Sequence, residues 1–142
     1  MEFSRSGKMP RPQKNRKISV PPKMKGFRPF GMPICKTTPV KLTFEEYESI
    51  KLVNYDKLSQ EQAAANMNIS RPTFTRIYNK ALKQIAISFV EGKAIIIEGG
   101  NYELDKDWYR CKKCFKLIQG KENHLKCENC PVFSDNELIK IN

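Results

Sequence analysis

Histidine is almost missing from this chain: His124 is the only one among 142 residues. A single imidazole leaves little scope for a His-based triad, and no Gly-x-Ser-x-Gly offers a serine nucleophile. Gly26-x4-Gly31 is followed by Met32 rather than Lys, so there is no P-loop. No apolar run reaches the length of a membrane span, and no secretion signal is legible. The expectation is therefore a non-enzymatic, cytoplasmic protein. Acid is also missing from one long stretch, since no Asp or Glu occurs between Glu61 and Glu91.

What is abundant is positive charge, unevenly placed. Of a formal +11, residues 1–41 carry +10, with eleven Lys/Arg against one acid, and the remainder carries +1. The same segment holds Pro10, Pro12, Pro21, Pro22, Pro29, Pro33 and Pro39, which prevent long helices and favour extended chain. An extended basic arm can follow phosphates or enter a minor groove, with Arg11, Lys14, Arg16 and Lys17 as its candidate contacts. The arm is expected to be mobile from Arg5 to Lys25 without DNA, and docked from Phe27 to Leu42.

Leu58 to Leu82 reads as two helices joined by a tight turn. Ser59 and Gln62 have capping-box spacing, and Ala63 and Ala64 are small enough for a close helix crossing. Asn68 stands where the turn needs a residue tolerant of left-handed backbone. Ile69 and Phe74 bracket that turn with core-facing side chains. Ser70 can cap the second helix, and Pro72 fits its first turn. Phe74, Ile77, Tyr78, Ala81, Leu82 and Ile85 then recur at spacings of three and four, an apolar stripe. Arg71, Thr75, Arg76, Asn79, Lys80 and Lys83 occupy the other surface, with Ser70 and Thr73 at its start. This division of faces matches a helix-turn-helix whose second helix, about 70–89, enters the DNA major groove. An ordinary amphipathic helix in a small bundle is the bland alternative. Upstream, Thr43 and Glu46 open a further helix through Phe44, Tyr47, Ile50 and Val53 to about Tyr55.

Three helices in this order resemble region four of bacterial sigma factors. Three separated blocks carry a closer resemblance: MPRPQKNRKI from Met9, LTFEEYESIKLVNYDKLSQEQAAANMNISRPTF from Leu42, and GKAIIIEGGNYEL from Gly92. They are similar to a family of small prokaryotic proteins known as domain of unknown function one-three-four, described as predicted DNA-binding proteins. The resemblance spans roughly Met9 to Leu104, leaving Met1 to Lys8 outside it. It implies a sigma-region-four-like domain with a basic arm, and no substrate, operator or effector. Members often carry cysteine in the early basic segment. Here Asn15 and Ser19 stand near those places, so metal binding by the arm itself is not expected.

Gly92 is a helix stop, and the β-branched run Ile95–Ile97 reads as a short strand closed by Gly99-Gly100. That strand either packs in the core or pairs across a homodimer. Further on, Cys111-x2-Cys114-x12-Cys127-x2-Cys130 brings two Cys-x2-Cys pairs together, the spacing of one tetrahedral Zn2+ site. Iron and disulfides are the competing uses. The turn Cys-Lys-Lys-Cys-Phe lacks the Gly that commonly follows such knuckles. Four cysteines already complete a closed structural site, so His124 is read as a bystander and Cys35 as an isolated thiol.

The expected fold is mainly α: a basic Pro-rich arm over 1–41, a helix-turn-helix domain with a short strand over 42–104, and a four-cysteine zinc-ribbon-like module over 105–142. The expected function is sequence-specific binding of double-stranded DNA as a transcriptional regulator. A homodimer and a contact with RNA polymerase are further partners, and no membrane is involved. The rival readings are a protein-interaction module on the transcription machinery and an RNA-binding protein, whose stacking platforms would be Tyr109, Phe115 and Phe133.

Overall fold

The structure is a computed structural model that describes residues 15–33, 38–123 and 138–141. Three α-helices occur in the expected order: α1 (Phe44–Ile50), α2 (Gln60–Asn66) and α3 (Arg71–Glu91). Local chemistry sets their ends. Thr43 Oγ1 accepts from the Glu46 backbone N–H at 3.2 Å, opening α1. At Ser59 both halves of the capping box form: Ser59 Oγ accepts from Gln62 N at 3.1 Å, and Gln62 Oε1 accepts from Ser59 N at 3.0 Å. Asn68 adopts the left-handed conformation the turn requires, with φ 57°. Ser70 caps α3 through Thr73 N, and Gly92 ends it with φ 66°. Past Ile50 the first helix widens into a π-helical turn, Lys51–Tyr55, before Lys57 turns the chain at φ 61°. Asn54 and the Tyr78 hydroxyl hydrogen-bond at 3.1 Å and tie that turn to α3.

The apolar stripe of α3 packs where its spacing points. Phe74 is fully buried among Leu52, Ala63, Ala64 and Met67, with Ile69 and Tyr78 alongside. Ala63 and Ala64 admit the close α2–α3 approach because neither projects beyond Cβ. About two turns beyond Phe74, Ala81 meets Leu42 and Ile97. Leu82, expected in this stripe, is instead exposed.

The expectation of a mainly helical chain with one short strand is overturned. Among the described residues there are eight strands in three sheets, so the fold is a mixture of α and β. β1 (Arg16–Ile18) runs parallel to β5 (Tyr102–Leu104), with Arg16 opposite Tyr102. β4 (Ile95–Ile97) is central in a second sheet, antiparallel to β2 (Gly26–Phe27) and parallel to β3 (Val40–Leu42). Both edges of β4 are thus taken within the chain, which leaves it no edge for pairing across a dimer. The third sheet has β6 (Trp108–Cys111) between β7 (Leu117–Gln119) and β8 (Leu138–Ile141), antiparallel to both. Apart from the β-branched β4, these strands of two to four residues are too short to show a period-two pattern, and all partners but β6 and β7 lie far apart in sequence. The described residues likewise show no cluster of three metal-ligating side chains, so a zinc ribbon is not a feature of the described fold. Cys127, Cys130 and His124 lie outside the described residues, as do Arg11, Lys14 and Cys35.

The arm is not a free tail over its described part. Asn15 to Phe27 are held, contrary to the expected mobility up to Lys25. Arg16 N–H donates to Asn101 O and Lys17 N–H to Met67 O, at 3.1 and 3.0 Å. Ile18 is fully buried. Gly26 is demanded by the approach of β2 to β4, since a Cβ there would sit 1.9 Å from the Ile95 carbonyl oxygen.

The left-handed Asn68 supplies a stability test. Asn68→Gly should be near neutral, whereas Asn68→Val should cost roughly 1–2 kcal/mol because a branched Cβ crowds the following carbonyl. Urea unfolding followed by helical circular dichroism measures both, and equal stability of the two variants would contradict the assigned turn.

Candidate nucleic-acid interface

The exposed side of α3 is built by three- and four-residue spacing. Arg76, Asn79, Lys80 and Lys83 fall on one face, all exposed, while Phe74, Ala81 and Ser88 are buried on another. Arg76 and Lys83 have no acidic partner among the described residues. Ser70 and Arg71 are exposed at the start of the helix, and Thr73 and Thr75 are half-buried.

The sequence between Glu61 and Glu91 carries no acid, yet acids from neighbouring helices reach this surface. Glu61 on α2 pairs with Arg71 at 3.0 Å, and Glu46 on α1 lies 3.6 Å from the Lys80 ammonium. Thr75 Oγ1 donates to Gln60 Oε1 at 2.7 Å, tying α3 to α2 across the crossing. Among the described residues the helix therefore offers two unpaired cations, Arg76 and Lys83, and two that are partly neutralised. Exposed pairs of this kind contribute little to stability, and Arg71 is 61% exposed.

The described arm residues are already engaged. Arg16 and Glu45 form a pair at 3.0 Å with side chains only 13% and 15% exposed. Burial pushes the Glu45 carboxyl above the usual carboxylate range, against the opposing pull of Arg16. Arg16 accordingly turns into the fold, not outward. Lys17 lies 3.5 Å from Asp105 and is half exposed. Nearby, Glu48 is almost fully buried; desolvation raises its pKa, while Ser19 Oγ donates to its Oε1 at 3.2 Å.

Two of the four candidate metal ligands are described. Cys111 is buried at the end of β6, and Cys114 is exposed in the turn to β7. Phe115 N–H donates to Cys111 O at 3.0 Å, and Cys111 N–H donates to Lys116 O at 3.1 Å, folding residues 111–116 into a knuckle. The Gly expected after such a knuckle is replaced by Phe115, which takes the left-handed conformation at φ 59°. Leu138 pairs with Cys111 across β6 and β8.

One residue of structural weight gave no sequence signal. Arg110, nine-tenths buried, donates from Nη2 to Pro22 O at 2.6 Å and from Nη1 to Lys23 O at 2.5 Å. Its acceptors are backbone carbonyls of a distant segment, which no motif encodes. Burial lowers its pKa from the ordinary guanidinium value.

Comparison with known proteins bears on this arrangement. The family described as "Protein of unknown function DUF134" matches residues 4–105. That span takes in residues 4–8, which the sequence reading left outside the resemblance. A UPF0251 protein of Chloroherpeton thalassium is 40% identical over 123 residues, 87% of this chain and 81% of its own length. UPF0251 proteins of Clostridium acetobutylicum and Halothermothrix orenii are 38% and 41% identical, covering 92% and 91% of this chain and 91% and 98% of theirs. Coverage of about nine-tenths of the chain extends beyond residue 105 into the cysteine segment. No solved structure matches the chain. With a family match over most of its length and relatives that share its extent, the chain belongs to the DUF134 family.

Proposed function

We propose that this protein binds double-stranded DNA sequence-specifically, as a transcriptional regulator, with α3 as the recognition helix. The observation that carries the reading is the exposed face of Arg76, Asn79 and Lys83 on the second helix of a capped helix-turn-helix pair. The helix is rigidly backed on its apolar side, and its outer side presents donors and unpaired positive charge. An arginine can reach guanine O6 and N7 with two bonds, and an asparagine can do the same for adenine N6 and N7. Arg76 and Asn79 are the base readers in this scheme. Lys80, Lys83, Ser70 and Thr73 are phosphate or positioning contacts, as are Arg11 and Lys14 of the arm. Arg71 and Thr75 are held toward α2 by Glu61 and Gln60, so Arg71 must exchange a carboxylate for DNA. Arg16 is left out of the contact set because Glu45 holds it inside the fold.

One structural Zn2+ on Cys111, Cys114, Cys127 and Cys130 completes the proposal. The knuckle at 111–116 suits a thiolate pair, and Leu138, which follows Cys130 by eight residues, pairs with Cys111. Thiolate ligation would hold the small third sheet together, whose buried apolar contribution is limited to residues such as Tyr109 and Ile118. The ion supplies folding energy and no reaction step. Reduced cysteines of this kind belong in a cytoplasmic setting.

Three measurements test these assignments. Arg76→Ala should weaken binding to a selected duplex by roughly 1–3 kcal/mol and relax preference at one base pair; a uniform loss on every duplex would make Arg76 a phosphate contact. Deleting residues 1–14 leaves β1 intact and should flatten the salt dependence of binding, by about 0.9 in log–log slope per phosphate contact removed. An unchanged slope would take the arm off the DNA. For the metal, Trp108 is the sole tryptophan and lies in β6, so its fluorescence reports the third sheet alone. Chelation should shift Trp108 emission while helical circular dichroism from α1 to α3 persists. Absence of stoichiometric metal in protein purified under reducing conditions would return the cysteines to a redox role.

A further inference from the structure

A cavity of about 730 Å3 opens beside β2 and β4. Its apolar wall includes Phe27, Met32, Pro39, Ala94, Ile95 and Ile96. Two glycines lie on its lining at crowded points: a Cβ on Gly26 would sit 1.9 Å from the Ile95 carbonyl oxygen, and one on Gly92 would lie 2.8 Å from Met32 Sδ. Several of these side chains remain in water: Phe27 is 59% exposed, Met32 42% and Ile96 38%. Among the described residues, Lys25 and Arg28 are the charged ones on the lining, and neither has an acidic partner there.

We propose that this cavity binds a small amphipathic organic anion, with its apolar body against the exposed Phe27, Met32 and Ile96 and its anionic head between Lys25 and Arg28. The volume lies in the range of small-molecule sites, roughly 300–1,000 Å3, and the lining has their usual form of an apolar wall with few polar groups. Unpaired cations at an apolar rim select a negative head, because a charge-assisted bond to Arg or Lys exceeds a neutral one. A nucleic-acid backbone would use the cations but not the apolar wall. A second copy docked by the same face would set Lys25 and Arg28 against their own counterparts. An anion with a hydrocarbon or aromatic body satisfies both halves of the site. Gly92, the C-cap of α3, and Ile95–Ile96 of the central strand are on the wall, so the ligand would bridge the end of α3 to the second sheet.

The inference stands apart from DNA binding and is tested on the full chain without DNA. Decanoate, decanol and decyl phosphate are titrated by calorimetry below their micelle concentrations. Decanoate or decyl phosphate should bind at one site, the tighter of the two identifying the head group, and decanol at least about tenfold more weakly. Lys25→Gln with Arg28→Gln should lower anion affinity at least about tenfold without changing unliganded stability, since both side chains are exposed. Ala94→Trp, which fills the cavity, should abolish binding of all three. If that variant fails to fold, Ile96→Glu supplies the same test by placing a carboxylate on the wall. No binding by either anion, equal affinity for decanol, or affinity indifferent to these substitutions would overturn the proposal.

Discussion

Residues 16–27 have no structure they could form alone, and much of the remaining fold is tied to them. β1 pairs with β5, β2 pairs with β4, and between them the carbonyls of Pro22 and Lys23 receive the Arg110 guanidinium. One extended segment thus touches all three sheets. Lys17 N–H also donates to Met67 O at the C-cap of α2, so the same strand secures the helix-turn-helix from behind. The proline content suits this role. It keeps the segment extended before docking and reduces the conformational freedom that docking removes.

Burial of charge accompanies that docking. Arg16 meets Glu45 in a nearly dry pair, and Ser19 meets Glu48, whose burial holds its carboxyl above the usual range. Such pairs contribute little net stability against a well-packed apolar alternative, but removing one partner strands the other charge. They therefore fix where the strand sits more than how firmly it is held. The same neutralisation shapes the outer surface. Glu46 and Glu61 reach cations on α3 that the sequence of α3 would leave unpaired, and the α3 cations without an acidic partner among the described residues narrow to Arg76 and Lys83.

The helix-turn-helix was legible because its signals are local. A capping box, a left-handed Asn68, a proline in the first turn and a terminal Gly92 each involve groups within a few residues of one another. The apolar stripe of α3 is likewise a property of one helix, though Leu82 shows its limit, since a position at the stripe's margin is buried only if a neighbouring element covers it. The knuckle at Cys111 shows a similar limit from the other side. Phe115 adopts the backbone that glycine commonly supplies, since two main-chain hydrogen bonds around Cys111 define the turn.

By itself the sequence determined the three helices, their caps and turn, the strand Ile95–Ile97 and the concentration of positive charge before residue 42. Tertiary structure alone decided that the arm's first described residues become strands, that Arg16 turns inward, and that Arg110 locks onto Pro22 and Lys23. It also decided that β4 is central and that an apolar cavity opens beside it. The physical reason is separation along the chain. A hydrogen bond closed within one turn is written in adjacent residues, whereas a two-residue strand or a buried guanidinium acquires its meaning from a partner that only folding brings near.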